Sequence, residues 1–104
     1  MPSFRVSVEV QDVRPGHHPD EVMDTARAAV AGVAHLDTSF VGMAQRLPFI
    51  AVRFSVATAS DAEEDAAARR VADAALEALG EVARLGEASL HRRRRGEWLA
   101  VAWP

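Results

Sequence analysis

Phe49-Ile50-Ala51-Val52-Arg53-Phe54 recurs as Trp98-Leu99-Ala100-Val101-Ala102-Trp103, 49 residues further on. The same shift, without a gap, carries Val22 onto Val71, Ala26 onto Ala75, Val30 onto Leu79, Val33 onto Val82 and Leu36 onto Leu85. Toward the N-terminus, Arg5-Val6-Ser7-Val8 is echoed 48 residues later by Arg53-Phe54-Ser55-Val56. Self-similarity at a fixed period marks a supersecondary unit used twice, here expected over residues 4–48 and 52–103. The repeat decides architecture and is silent on chemistry.

Periodicity assigns the elements. Phe4, Val6, Val8 and Val10 alternate with Arg5, Ser7 and Glu9, the period of two of a half-buried strand. Arg14-Pro15-Gly16 turns the chain, and Pro19 with Asp20 and Glu21 suits a first helical turn. Val22, Ala26, Ala29, Val30 and Val33 form its apolar stripe. A second strand is expected over Ser39–Arg46 with Val41 and Met43 inward, then a connection at Leu47-Pro48. A third strand follows, with Ile50, Val52, Phe54 and Val56 inward. Ser60 and Glu63 have capping-box spacing. The helix they open buries Ala68, Val71, Ala72, Ala75, Leu76 and Leu79, and Gly86 is expected to end it. Ala88–Arg93 and Trp98–Trp103 complete the set as strands four and five, turning at Gly96-Glu97.

Two βαβ units with right-handed crossovers place both helices on one side of the sheet. The expected fold is α+β: a single domain over residues 1–104, a ferredoxin-like βαββαβ sandwich with an extra C-terminal strand (βαββαββ). Its sheet is antiparallel, with strand order 5-4-1-3-2.

Composition narrows the function classes. The chain has no cysteine, which removes disulfides, thiolate metal sites and cysteine nucleophiles. No apolar run approaches the roughly 20 residues of a membrane span, and Met1-Pro2-Ser3-Phe4-Arg5 runs straight into a strand, so a cytoplasmic protein is expected. All 12 basic residues are arginine, and the net charge is −3, which argues against nonspecific nucleic-acid binding.

Helices cover one sheet face. The other would show Phe49, Ala51, Arg53 and Ser55 from strand three, Arg5, Ser7 and Glu9 from strand one, and Trp98, Ala100 and Ala102 from strand five. Strand five is apolar throughout and expected at an edge, with only Pro104 to blunt it. Such an edge is normally charged or hidden. A homodimer is therefore expected, through Trp98, Ala100, Ala102 and Trp103, by pairing edges or stacking open faces. Phe49, Trp98, Arg5 and Arg53 are the candidate ligand-binding residues.

Other motifs carry less. Arg14, His17 and His18 precede a helix N-terminus and form a candidate anion site, although Asp20 and Glu21 occupy the same positive end. His17 and His18 are adjacent and lack metal-ligand spacing, so no metal and no cofactor are expected. Arg92-Arg93-Arg94-Arg95 alternates faces in a strand and reads as a solvated edge. Glu63, Glu64 and Asp65 serve the dipole of the second helix.

Two resemblances are local. Asp12-Val13-Arg14-Pro15-Gly16 resembles the strand-to-helix turn of ACT domains, small ferredoxin-like modules that bind amino acids. There the helix follows Pro-Gly directly, whereas here His17-His18-Pro19 intervene and Val13 is extra, so the segment is read as a turn. Arg46–Phe54 resembles the third-strand motif of RNA-recognition domains but lacks its glycines, and Phe54 belongs to the core set. No nucleophile stands beside a base. The sequence thus points to a small non-catalytic interaction or ligand-binding module. The alternative is a dimeric α+β barrel, enzyme or binding protein, with a pocket between the open sheet faces.

Overall fold

A computed structural model describes residues 1–103. Its elements run β1 (Ser3–Val13), α1 (Pro19–Ala31), β2 (His35–Ala44), β3 (Leu47–Ser55), α2 (Asp61–Val82), β4 (Ala83–Arg94) and β5 (Glu97–Ala100). All strand pairs are antiparallel and the sheet order is β2-β3-β1-β4-β5, the expected order seen from the other edge. Pro104 lies outside the described residues.

The central strand β1 sets the two faces. Phe4, Val6, Val8 and Val10 point into one core with Ile50, Val52 and Phe54 of β3 and with both helices. Phe4 and Phe54 are fully buried and stack with ring centroids 6.0 Å apart. From the helices come Val22, Ala26 and Val30 on one side and Ala68, Val71, Ala72, Ala75 and Leu79 on the other. The buried alanines let α1 and α2 pack closely over one sheet face.

Several boundaries differ from expectation for physical reasons. Gln45 and Arg46 both have positive φ (51° and 72°), a two-residue turn whose twist matches the flanking strands. The β2–β3 connection therefore sits there, and Leu47-Pro48 already belongs to β3. β2 starts earlier, at His35, so Val33 falls in the connection and is exposed. Val41 and Met43 are also exposed, at 62% and 67%. A 13-residue helix is roughly 20 Å long, whereas a ten-residue strand is roughly 33 Å. Arg27 of α1 still reaches Ser39 (2.6 Å), but β2 beyond it overshoots the helix.

Helix α2 ends at Val82, not Gly86. Arg14 supplies its terminal cation, donating from Nε to the Gly80 carbonyl at 2.7 Å. Gly86 lies instead inside β4, where a Cβ would sit 3.1 Å from that of Glu9. At the start of α2, Ser60 Oγ accepts from the Glu63 N–H (3.2 Å), as its spacing predicts. β5 covers only Glu97–Ala100. Beyond it the chain turns onto α2: Val101 and Trp103 pack against the core, and Trp103 Nε1–H donates to Asp73 at 2.8 Å.

The arginine run is solvated at Arg93, Arg94 and Arg95, which are exposed, but not at Arg92. Arg92, opposite Phe4, is buried, stacks on that ring at 5.3 Å and hydrogen-bonds Asp61, Glu64 and Asp65. Glu64, also buried, accepts from the Ala59 N–H at 2.9 Å as well. Glu64 and Asp65 thus clamp α2 to β4 rather than serving only the dipole. Burial opposes the Arg92 charge, but its bonds to Glu64 and Asp65 outweigh that and raise its pKa. The Ala59 N–H, then Arg92, holds the Glu64 carboxyl below its ordinary range.

Two outcomes follow from the core and the clamp. Phe54→Ala lowers unfolding free energy by about 3–5 kcal/mol in urea titration, the usual cost of emptying a buried aromatic site. A carboxyl with a depressed folded-state pKa stabilises above its unfolded pKa, about 4.3 for glutamate. That contribution is lost as pH falls through the folded value. Stability therefore declines in acid, and Glu64→Gln flattens the decline measured by urea titration between neutral and acid pH.

Candidate functional site

On the sheet face away from the helices, strand pairing collects basic side chains. Arg5 of β1 lies opposite Arg53 of β3 on one side and opposite His91 of β4 on the other. In the β4–β5 hairpin, His91 pairs with Ala100 and Arg93 with Trp98. Arg95 and Gly96 both have positive φ (51° and 81°), so this turn is also a two-residue one. It sits one residue earlier than the expected Gly96-Glu97, and the change puts Arg93, not Arg95, beside Trp98.

Neighbouring strands are about 4.8 Å apart, so Trp98 starts two strands from Arg5 and three from Arg53. Yet its ring centroid lies 4.6 Å from Arg5 Cζ, 5.3 Å from Arg53 Cζ and 5.2 Å from Arg93 Cζ. The indole and the arginine side chains therefore reach toward one another over the open face, with three guanidiniums around the ring. Each cation is attracted to the ring quadrupole by roughly 0.5–1 kcal/mol. Like charges directly opposite on paired strands repel. Among the described residues no carboxylate forms a salt bridge with Arg5, Arg53 or Arg93.

Two further atoms at this place are buried without a hydrogen-bond partner: Arg5 Nε and His91 Nδ1. Burial, and then the Arg5 charge, lowers the His91 pKa, which keeps its ring neutral at pH 7. The acidic side chains of the face stand at its other end. Glu9 is four residues along β1 from Arg5, roughly 13 Å, and its Oε1 accepts the Glu87 N–H at 2.9 Å. A depression of about 320 Å³ there is lined by Ser7, Glu9, Phe49 and Glu87.

Of the four expected ligand residues, the structure brings Arg5, Arg53 and Trp98 together. Phe49 is elsewhere: it packs edge-on against Phe40 (6.0 Å, 82°) and covers Gly42, where a Cβ would lie 2.4 Å from its Cζ. His91 and Arg93 join the group unforeseen. Their signal was the parity of β4, legible once the hairpin turn is placed at Arg95-Gly96.

The trio Arg14, His17 and His18 does not assemble into one site. Arg14 points its Nε at the end of α2. His17 Nδ1 pairs with Glu21 Oε2 at 2.8 Å, and Glu21 Oε1 accepts the His18 N–H at 3.1 Å. The start of α1 is met by its own carboxylate, whose pKa His17 lowers first and the His18 N–H second.

Nor do the expected dimer residues share one surface. Trp98 lies on the open face, opposite Arg93. Trp103 packs against the core, and the Ala102 carbonyl accepts from Arg69 at 3.2 Å.

A second cluster lies at the other end of β3. Ser55 Oγ–H donates to Asp37 Oδ2 (2.8 Å), while His35 Nε2 stands 3.4 Å from Asp37 Oδ1. The carboxylate sits between the hydroxyl and the imidazole, so the histidine is not placed to take the serine proton. The cluster braces the β2 irregularity between Leu36 and Thr38. Beside it is a cavity of about 390 Å³, touched by Val33, His35, Val56 and Arg70. Among the described residues no group of three or more His, Cys, Asp or Glu side chains could hold a metal ion. No helix there is long and apolar enough to cross a membrane. Comparison of the chain with protein-family models, curated protein sequences and solved structures found no match.

The charge relation inside the cluster is open to titration. Removing the Arg5 charge relieves the repulsion that protonated His91 meets, so Arg5→Gln raises the His91 pKa. NMR-monitored titration of the imidazole should show wild-type His91 titrating below an ordinary histidine and the variant shifted up toward it.

Proposed function

We propose that this protein is a small non-catalytic binding module that works as a homodimer and takes a small ligand on its open sheet face. One observation carries the reading: Trp98 held among Arg5, Arg53 and Arg93 with no acidic partner among the described residues. Guanidinium and indole are groups that bind and orient. Arginine stays protonated throughout the physiological range and is a poor proton-transfer group.

Support for two copies comes from the opposite edge rather than from β5. From Thr38 to Ala44 the edge strand β2 holds no charged residue, and Phe40, Val41 and Met43 are exposed. An uncharged apolar edge with unpaired backbone groups invites another strand. Two β2 edges meeting about a twofold axis satisfy that demand and leave both open faces accessible. The depression lined by Phe49 and Ser7 favours a second arrangement, in which open faces stack and enclose a pocket.

Light scattering after size exclusion at micromolar concentration separates these. The expected result is a mass of two chains, reduced to one chain by Val41→Asp with Met43→Asp and unaffected by Trp98→Ala. Loss of the dimer in Trp98→Ala would instead favour stacked faces, and a wild-type monomer would remove the dimer altogether. A thermal-shift screen of metabolites reads the ligand half. At least one compound should raise the melting temperature of the wild type and leave Trp98→Ala unmoved.

A further inference from the structure

The geometry points to a ligand of one chemical class, and this inference rests on the open face being the ligand surface: we infer that Arg5, Arg53 and Arg93, arranged around Trp98, bind a compact oxyanion, the carboxylate or phosphate group of a small molecule. A guanidinium interacts with an aromatic ring and with an anion in different directions. It stacks through its flat side, and it donates N–H groups in its own plane. The three guanidinium carbons lie 4.6–5.3 Å from the Trp98 ring centroid, and among the described residues no carboxylate takes up their N–H donors, which remain for other oxygen acceptors. Arg5 Nε is one such donor, buried and unpartnered.

The charge layout sets the size of the anion. Three cations converge on a single indole, at 4.6–5.3 Å from its centroid, rather than forming a track along the sheet. Further along the face stand Glu9 and Glu87, and the whole chain carries −3. A polyanion following the strands would run onto carboxylates, whereas a single oxyanion meets only the basic end. Bound there, it also relieves the repulsion between Arg5 and Arg53, which face each other across the β1–β3 ladder.

The test is a titration of isotope-labelled protein with inorganic phosphate, with benzoate and, separately, with oligothymidylate, followed by NMR. Expected is a saturable shift of the Trp98 indole N–H and of the Arg5, Arg53 and Arg93 Nε–H signals with phosphate or benzoate. Whichever anion binds more tightly identifies the source of the oxygen acceptors. Arg53→Gln and the exposed-site variant Arg93→Gln each weaken binding by about tenfold, the loss of one charge-assisted bond. Arg46→Gln, in the β2–β3 turn, does not. No saturable shift with either anion overturns the inference, as does equal binding by wild type, Arg53→Gln and Arg93→Gln. Binding of the oligonucleotide alone, with affinity collapsing in salt, also overturns it. The proposed function is judged separately: dimers that bind a neutral or cationic compound through Trp98 keep that reading while losing the oxyanion.

Discussion

Strict alternation along β1 is the constraint on which the rest depends. Its even positions, Phe4, Val6 and Val8, are buried among the helices, while Arg5 on the odd side faces the guanidinium and indole groups of its neighbours. Core and candidate site are two sides of one strand. A one-residue slip would bury Arg5 and expose Phe4, so the register that hydrophobic burial enforces also aims the basic cluster. Because β1 is central, with β3 and β4 on either side, it transmits that register to both.

The same parity explains how four consecutive arginines come to do different things. Arg92 shares the helix face with Phe4 and Leu90, and a lone buried guanidinium there would be costly. Three carboxylates of α2 answer it. Arg94, two residues on, bonds Asp61 at 3.0 Å at the same helix start. Arg93 points the other way and meets Trp98, and Arg95 holds the turn with a positive φ. A run of like charge is thus divided by the strand into a structural clamp and a site component. The clamp fixes β4 against α2, and β4 in turn carries His91 and Arg93 on its far side.

Much of this was legible in the residues. Period-two and helical patterns located every element, and the crossover rule fixed the sheet order, because burial of Phe4, Val22, Val52 and Ala75 leaves few alternatives. Strand parity placed Arg5, Arg53 and Trp98 on the open face together with Phe49, which lies apart from them. What escaped was decided by lengths and turns. Val41 and Met43 look inward by pattern, and only the overshoot of a strand past a shorter helix exposes them. The Arg95-Gly96 turn shifts the last hairpin by one residue and swaps the neighbour of Trp98. Trp103 alternates like a strand residue, yet the chain bends onto α2, where Asp73 offers an acceptor to its indole N–H. Periodicity sees which side a residue faces, not how far the opposing layer extends.

Acid is not scarce in this chain: it holds 15 aspartates and glutamates. Three of them, Asp61, Glu64 and Asp65, meet Arg92 and Arg94 where α2 begins, and Glu9 and Glu87 stand at the far end of the open face. On the helix face, where a bare charge would destabilise the core, both terminal nitrogens of Arg92 find carboxylates, while its Nε is buried without a partner. On the open face three guanidiniums share an indole instead, with Arg5 and Arg53 at repelling positions. The ring quadrupole offsets part of that repulsion while leaving positive charge to act on its surroundings. A carboxylate placed in β4 or β5 would quiet the cluster with a single substitution. Among the described residues none pairs with Arg5, Arg53 or Arg93, so the basic end of the sheet keeps a charge repulsion that folding alone does not require.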